Sequence, residues 1–373
     1  VVQNEVEERM ALVIKQWPDL QGPFFHYAGM EKIYFSPSKW LYLWEQPSGE
    51  MKSLWGVTGT LKIVDKSPQL IPWSIKQVVN RAYSHLVAQH SRLDGFVELT
   101  TEDLMLALEA AKKEPDDILV DAGNVGHAAH HHVEALVAAT MKGDEGRRLE
   151  LLAKFPEDER ATNCVIAALC FFVDHNVRFV SSEQRVFSRS LEVAGTLDGH
   201  ILMDSCEDKS CGCQQAAPFK DLSVCLDMKT SNHVHHTYFA QAGIYRFAKC
   251  EEFPLTHFDA TVILRMGKDD AAEFEPWFAF GDELYQRHVN FFTNALSLKK
   301  SVIETEKWMW DIRDKRRAIE REAKGKEKAA ALALDCGNKK YKGVRKPQCN
   351  DGNPCQKCQK TYADKQASLS LGE

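Results

Sequence analysis

The sequence predicts an α/β fold with a mixed central sheet flanked by helices, and three observations lead there. Short apolar runs alternating with period two recur over residues 193–203, 223–228 and 257–265. A helical stretch, 239–247, separates the last two, and long segments of helical spacing precede and follow the group. A strand, strand, helix, strand order is that of a sheet with both parallel and antiparallel neighbours.

Ahead of these strands, the aromatic runs 32–35 and 40–44 also read as strands, and Pro47-Ser48-Gly49 turns the chain toward another near Leu54. This opening is a hairpin followed by helices. Between Leu70 and Leu86 the apolar residues Ile71, Ile75, Val78, Val79 and Ala82 recur at helical spacing, and a second helix covers 101–112, after which Pro115 is expected to interrupt. A third helix is predicted from about Asn124 to Met141, and a fourth over 158–174, whose apolar stretch 165–173 marks a buried core helix. Beyond Phe274 the pattern turns helical again, and 301–334 is rich in helix formers with alternating charge.

The chain thus divides into an N-terminal hairpin with helices (1–100), a central α/β core (101–300), a basic C-terminal helix (301–334) and a Cys-rich tail (335–373) whose last residues, after Lys365, read as a disordered end. Hydrophobic and charged fractions of 44% and 27%, with no apolar run resembling a membrane span or signal peptide, point to a soluble, intracellular, cytoplasmic protein with no membrane partner. A net charge of −6 excludes a histone-like polybasic binder and confines any nucleic-acid contact to local patches, since Lys and Arg concentrate between Lys299 and Lys346.

Chemistry centres on residues 223–229. Strand alternation points Val224, Leu226 and Met228 one way and Cys225, Asp227 and Lys229 the other, setting a carboxylate beside an ammonium. An isolated Asp-x-Lys is as a rule a solvated ion pair, so its neighbours decide. Asp198 lies on a preceding strand between Gly195 and Gly199, which permit close backbone approach. Helical spacing groups His127, one or both of His130 and His131, and Glu134 on one face, a donor set suited to a divalent metal but also to a solvated polar face. Glu183 adds a carboxylate, and Gln241 with Tyr245 forms an i, i+4 pair.

In order, Gly126-x3-His130-x3-Glu134, Glu183, Gly195-Thr196-x-Asp198, Asp227-x-Lys229-Thr230-Ser231 and Gln241-x3-Tyr245 resemble the RecB-like, phage-type exonuclease branch of the PD-(D/E)XK nucleases, over roughly 57–280. Val57-Thr58-Gly59-Thr60-Leu61 and Asp65-Lys66-Ser67-Pro68-x-Leu70-Ile71-Pro72-Trp73 also resemble a segment common in phage members. The resemblance implies a restriction-endonuclease-like core and a Mg²⁺- or Mn²⁺-dependent deoxyribonuclease, an exonuclease hydrolysing phosphodiester bonds by metal-activated water in DNA end processing, recombination or repair. It implies that His130, Asp198, Asp227 and the Met228 carbonyl ligate the metal and that Lys229 assists the attacking water. Glu183 orders the metal site, and Gln241 and Tyr245 support it and contact DNA. The implied partners are DNA, single-stranded or with ends, and recombination or replication proteins, in a bacterial or phage-infected cell. Two other readings compete: a non-catalytic, zinc-containing DNA-binding module, and a nucleotide phosphohydrolase using the cluster His127 to His132.

Eleven cysteines without an export signal suggest metal ligands or reduced thiols rather than disulfides. Cys336, Cys349, Cys355 and Cys358 provide enough thiols for a tetrahedral zinc or an iron-sulfur cluster, and their order and spacing favour structural zinc. Cys206, Cys211 and Cys213 interrupt what the family pattern expects to be a plain hairpin. Zinc there needs a fourth ligand, for which Cys225, His200 or a tail cysteine is a candidate, and free loop thiols are an even alternative. In the basic segment 307–324, Trp308 and Trp310 interleave with Arg313, Lys315, Arg316 and Arg317, a pattern that fits either a phosphate-tracking surface with stacking rings or a helix burying its tryptophans.

Overall fold

The structure, a computed structural model, describes residues 18–64, 67–90, 100–270 and 273–334. The tail cysteines Cys336, Cys349, Cys355 and Cys358 lie outside the described residues, as does Asp65-Lys66. Contacts divide the chain into two units, Val1–Lys299 and Lys300–Glu373.

The first unit is mixed α/β. Its N-terminal hairpin is a four-stranded antiparallel meander, β1 (Gln21–His26), β2 (Glu31–Ser36), β3 (Leu41–Glu45) and β4 (Met51–Ser53), in sequential order. β1 was not expected, because its Gly-Pro start leaves no alternating pattern to read. Ile33, Phe35 and Tyr42 pack against Phe187 and Ala194, so the meander rests on the central sheet.

That second sheet has six strands: β5 (Trp55–Gly56), β6 (Arg178–Ser188), β7 (Val193–Met203), β8 (Leu222–Lys229), β9 (Ala260–Met266) and β10 (Phe274–Phe280). β8 runs parallel to β9 and antiparallel to β7, which makes the sheet mixed as expected. β7 carries β6 along one edge, and along the other β8 with the short parallel β5. Two strands escaped sequence reading. β6 is polar through its middle, Ser181 to Arg185, and shows no clean alternation. β10 lies where a helix was expected; its aromatic run FEPWFAF suits a pleated surface, and Pro276 is tolerated because the strand is at the edge. The helix starts only after Gly281, whose φ of 84° turns the chain.

The helices are α1 (Val57–Leu61), α2 (Ser67–His90), α3 (Thr101–Ala111), α4 (Glu114–Lys142), α5 (Glu145–Ala153), α6 (Glu159–Asp174), α7 (His236–Glu252) and α8 (Asp282–Leu334). Pro115 does not interrupt: it sits in the first turn of α4, where its missing N–H has no intrahelical partner to lose, so α4 starts well before Asn124. The unpredicted α5 is short and charged, and its start is fixed by Asp144 accepting the Arg147 amide at 3.0 Å.

On one side of the sheet, Val125, Ala129 and Val133 of α4 and Val165, Ala168 and Phe171 of α6 bury against Val224, Leu226, Met228, Val262 and Leu264. On the other side, Leu61 of α1, Ile244 of α7 and Phe292 of α8 cover Leu197, Cys225 and Ile263. Each large apolar side chain so buried contributes on the order of 1.5–3 kcal/mol. The alternation expected for 223–229 therefore holds, and β8 is covered on both faces.

In the second unit, residues 301–327 of α8 are exposed apart from the half-buried Ile312. Trp308 and Trp310 are 62% and 54% exposed, so among the described residues they fill no core; the Arg313 guanidinium lies 3.4 Å from the Trp310 ring centroid. No described helix is long and apolar enough to cross a membrane.

Candidate metal centre

Strands β7 and β8 pair from Met203↔Leu222 to Gly199↔Leu226, and the ladder stops there. The next positions are Asp198 and Asp227. Instead of continuing the ladder, Asp198 Oδ2 accepts the Met228 amide at 2.8 Å. On the other edge of β7, Ser182 pairs with Gly199 and Gln184 with Leu197, which sets Glu183 opposite Asp198. Glu183 has φ of +48°, a left-handed conformation inside a strand that costs a side-chain-bearing residue on the order of 1–3 kcal/mol.

From the helical side, α4 brings His130 to these acids. Ligand atoms of His130, Glu183 and Asp198 lie within 4.8 Å of one another. Gly126, one turn earlier, allows the approach of α4 to the end of β8, since a Cβ there would stand 2.8 Å from Thr230 Oγ1. His127, His131 and Glu134 are exposed, and His132 turns inward to stack on Phe155 at 5.5 Å. Of the histidine cluster, then, only His130 joins the acids.

Asp227 is fully buried and forms an ion pair with Lys229 Nζ at 2.5 Å, but neither carboxylate oxygen has a hydrogen bond of ordinary geometry. Burial pushes its pKa up to about 7; Lys229 opposes this and Asp198 adds to it. For Lys229 the burial penalty is outweighed by Asp227 and Asp198, which hold its pKa above the ordinary lysine value. The Tyr238 ring lies 5.3 Å from its ammonium. Glu183 is pushed up to about 8 by burial, then by Asp198 and Glu134. His130 is held below the usual imidazole range, chiefly by burial, so at neutral pH it is the neutral form that can ligate. Two acids whose pKa values rise through burial and then through the neighbouring Asp198, with a neutral imidazole beside them, fit a divalent cation.

Gln241 and Tyr245 support this arrangement from α7. Gln241 Nε2 donates to Tyr245 Oη at 2.8 Å and to Thr58 Oγ1 at 3.2 Å, which ties α1 to α7. Tyr245 is buried against Gly195, where a Cβ would come 2.3 Å from the ring. Sequence reading placed Thr58 in a phage-like segment without giving it a role, and did not single out Tyr238. Nor did it find the pairing of Thr196 with Tyr42 at 3.1 Å and Arg185 at 2.7 Å, which links the meander to β7 beside Asp198.

A second cluster forms where the β7–β8 connection meets the end of α6. Ligand atoms of His175, Cys206, Cys211 and Cys213 lie within 4.8 Å of one another. Among the described residues the fourth member is His175 and neither Cys225 nor His200; the tail cysteines, also expected as candidates, lie outside the described residues. Cys225 points to the opposite core, its thiol toward the Ala242 carbonyl at 3.5 Å, and His200 bonds Ser223 Oγ at 2.9 Å while packing on Phe258. No protein-family model matches this chain, and neither does any curated protein.

Proposed function

We propose that the chain is a divalent-cation-dependent deoxyribonuclease with a restriction-endonuclease-like core, acting as an exonuclease on DNA single strands or ends. The observation that carries this reading is the gathering of His130, Glu183 and Asp198 beside the buried Asp227–Lys229 pair, where two strands splay at the mouth of a mixed sheet. Residues in that order along the chain are those by which it resembles PD-(D/E)XK nucleases.

His130, Glu183 and Asp198 are within reach of one Mg²⁺ or Mn²⁺, with Asp227 and the Met228 carbonyl adjoining. Such an ion supplies Lewis-acid polarisation of a phosphate and lowers the pKa of water. Lys229, held protonated by Asp227, directs a cation's charge and hydrogen bonds to an attacking water or a phosphate oxygen. The Gln241–Tyr245–Thr58 chain fixes the helix behind these groups. In the second unit, the exposed Trp308 and Trp310 with neighbouring Arg313, Lys315, Arg316 and Arg317 suit contact with a single strand.

The test is a time course on end-labelled single- and double-stranded DNA with Mg²⁺ or Mn²⁺. Mononucleotide release from ends, reduced at least ~100-fold by Lys229→Ala and by Asp227→Ala, is expected. Binding without cleavage under both metals, or cleavage undiminished in both variants, overturns the proposal.

A further inference from the structure

We infer that His175, Cys206, Cys211 and Cys213 form a closed Cys₃His zinc site that anchors the β7–β8 connection, independent of the carboxylate centre. The geometry carries the assignment. With Zn–S about 2.3 Å and Zn–N about 2.0–2.1 Å, a tetrahedral ion sets sulfur–sulfur edges of about 3.8 Å and sulfur–nitrogen edges of about 3.6 Å. Cys206 Sγ lies 3.5 Å from Cys213 Sγ, and Cys211 Sγ lies 3.5 Å from His175 Nε2. The side chains are thus already spaced as ligands around one small cation.

His175 is prepared for this role. It is fully buried as the C-cap of α6, and its Nδ1 lies 3.1 Å from the Phe171 carbonyl. Donation of the Nδ1 proton to that oxygen leaves the Nε2 lone pair facing Cys211, the arrangement in which a second hydrogen bond orients a ligating imidazole. Phe171 and Phe274 pack edge-on against each other, and both rings pack against His175. Gln214 donates from Nε2 to Cys213 Sγ at 3.6 Å and to the Cys206 carbonyl at 2.8 Å, a polar contact suited to a thiolate.

The fold gives the site a purpose. Eighteen residues separate Met203 from Leu222, and their regular structure is one short 3₁₀ turn, Gly212–Gln215. A connection of that length with so little secondary structure of its own is uncommon in a compact domain, and a bound ion would give it an anchor. Gly212 presses on β10, where a Cβ would stand 3.2 Å from Phe278, so the three thiols fasten this segment to the edge of the sheet and to the end of α6. Four protein donors fill a tetrahedral sphere, which makes the site structural. Soft thiolates with one imidazole select zinc over the hard cations suited to carboxylates. Asp198 lies five strand residues, about 17 Å of extended chain, from Met203 where this connection starts. As the ion binds, the three thiol protons pass to solvent.

The test uses the full chain with Cys336, Cys349, Cys355 and Cys358 all replaced by serine, purified anaerobically and dialysed against a weak chelator. One equivalent of zinc by elemental analysis is expected, and Cys211→Ser or His175→Ala should lose it. Cobalt exchanged into the site should give thiolate-to-metal charge-transfer bands with intense tetrahedral d–d absorption. His175→Cys should keep one equivalent and raise the charge-transfer band by about a third, from three thiolates to four; this variant decides the matter if the others fail to fold. Gln214→Ala should weaken zinc about 10-fold. A zinc-free parent chain, a cobalt spectrum unchanged by His175→Cys, or a Cys206–Cys213 disulfide in the anaerobic protein overturns the assignment.

Discussion

Asp198 uses one carboxylate oxygen to hold the Met228 amide at 2.8 Å, in the place where the β7–β8 ladder has ended. A single side chain therefore both closes the sheet and lines the proposed metal centre. The two roles separate by substitution. Asn at this position retains an acceptor for Met228 and loses the charge, whereas Ala loses both and leaves a buried N–H without a partner, at about 1–3 kcal/mol. Asp198→Asn should fold with near-parental stability and cleave DNA at least ~100-fold more slowly. Asp198→Ala should in addition lose ~1–3 kcal/mol in urea denaturation. Equal stability losses in the two variants would contradict the double role.

Metal-free stability should fall as pH rises from about 7.5 to 8.5. Glu183, at about 8, and Asp227, at about 7, lie above the unfolded carboxyl values of about 4, so over this range the folded state holds more protons than the unfolded one. Their contribution is complete below the unfolded values and is lost as pH climbs through the folded ones. Histidines held below the ordinary range by burial (His130, His132, His175, His200 and His288) oppose this trend until the unfolded imidazoles have lost their protons, about a unit above 6.5. Melting curves in chelator should show the decline, Glu183→Gln should flatten it, and Mg²⁺ should reduce it by favouring the ionised acids. A profile unaffected by Glu183→Gln removes the basis for the prediction.

Glu183 also stores backbone strain. At φ +48° a glycine is at ease where glutamate is not, so Glu183→Gly should stabilise the metal-free chain by about 1 kcal/mol in chemical denaturation while abolishing cleavage. A destabilised Glu183→Gly variant would show that the side chain's contacts outweigh the strain.

Gly195 is required by its neighbour. The Tyr245 ring would meet an alanine Cβ at 2.3 Å in a buried site, so Gly195→Ala should cost ~1–3 kcal/mol or displace the ring. Combining it with Tyr245→Leu, which vacates the ring's edge, should recover part of that loss in a double-mutant cycle. Strict additivity would mean that the two residues do not press on each other.

Much of this fold was legible because strands and helices with one apolar face announce their period. β7, β8, β9, α6 and α7 were all readable in this way, and Cys225 and Leu226 do face opposite cores. β6 was hidden because Ser181, Ser182, Glu183, Gln184 and Arg185 interrupt any pattern, the same polar stretch that delivers Glu183 to the centre. β10 was misread as helix because seven residues with a proline carry too little period to distinguish the two. Gathering His130 with Glu183 and Asp198 needed the ordered motif, since no local spacing joins a helix to two later strands. His175 carried no signal: it is a lone histidine closing a buried helix, far in sequence from Cys206, and only the packing of α6 against the sheet brings them together.

The alternation of β8 has a consequence for how such a chain changes over time. Val224, Leu226 and Met228 face one core, and what they must supply is volume and apolarity, which many residue combinations satisfy. Asp227 and Lys229, on the other side, are defined by charge and reach, which few satisfy. Under the proposed function, descendants can therefore exchange the first set freely while holding the second, and kinship would persist as sparse, widely separated polar letters in a background of interchangeable apolar ones.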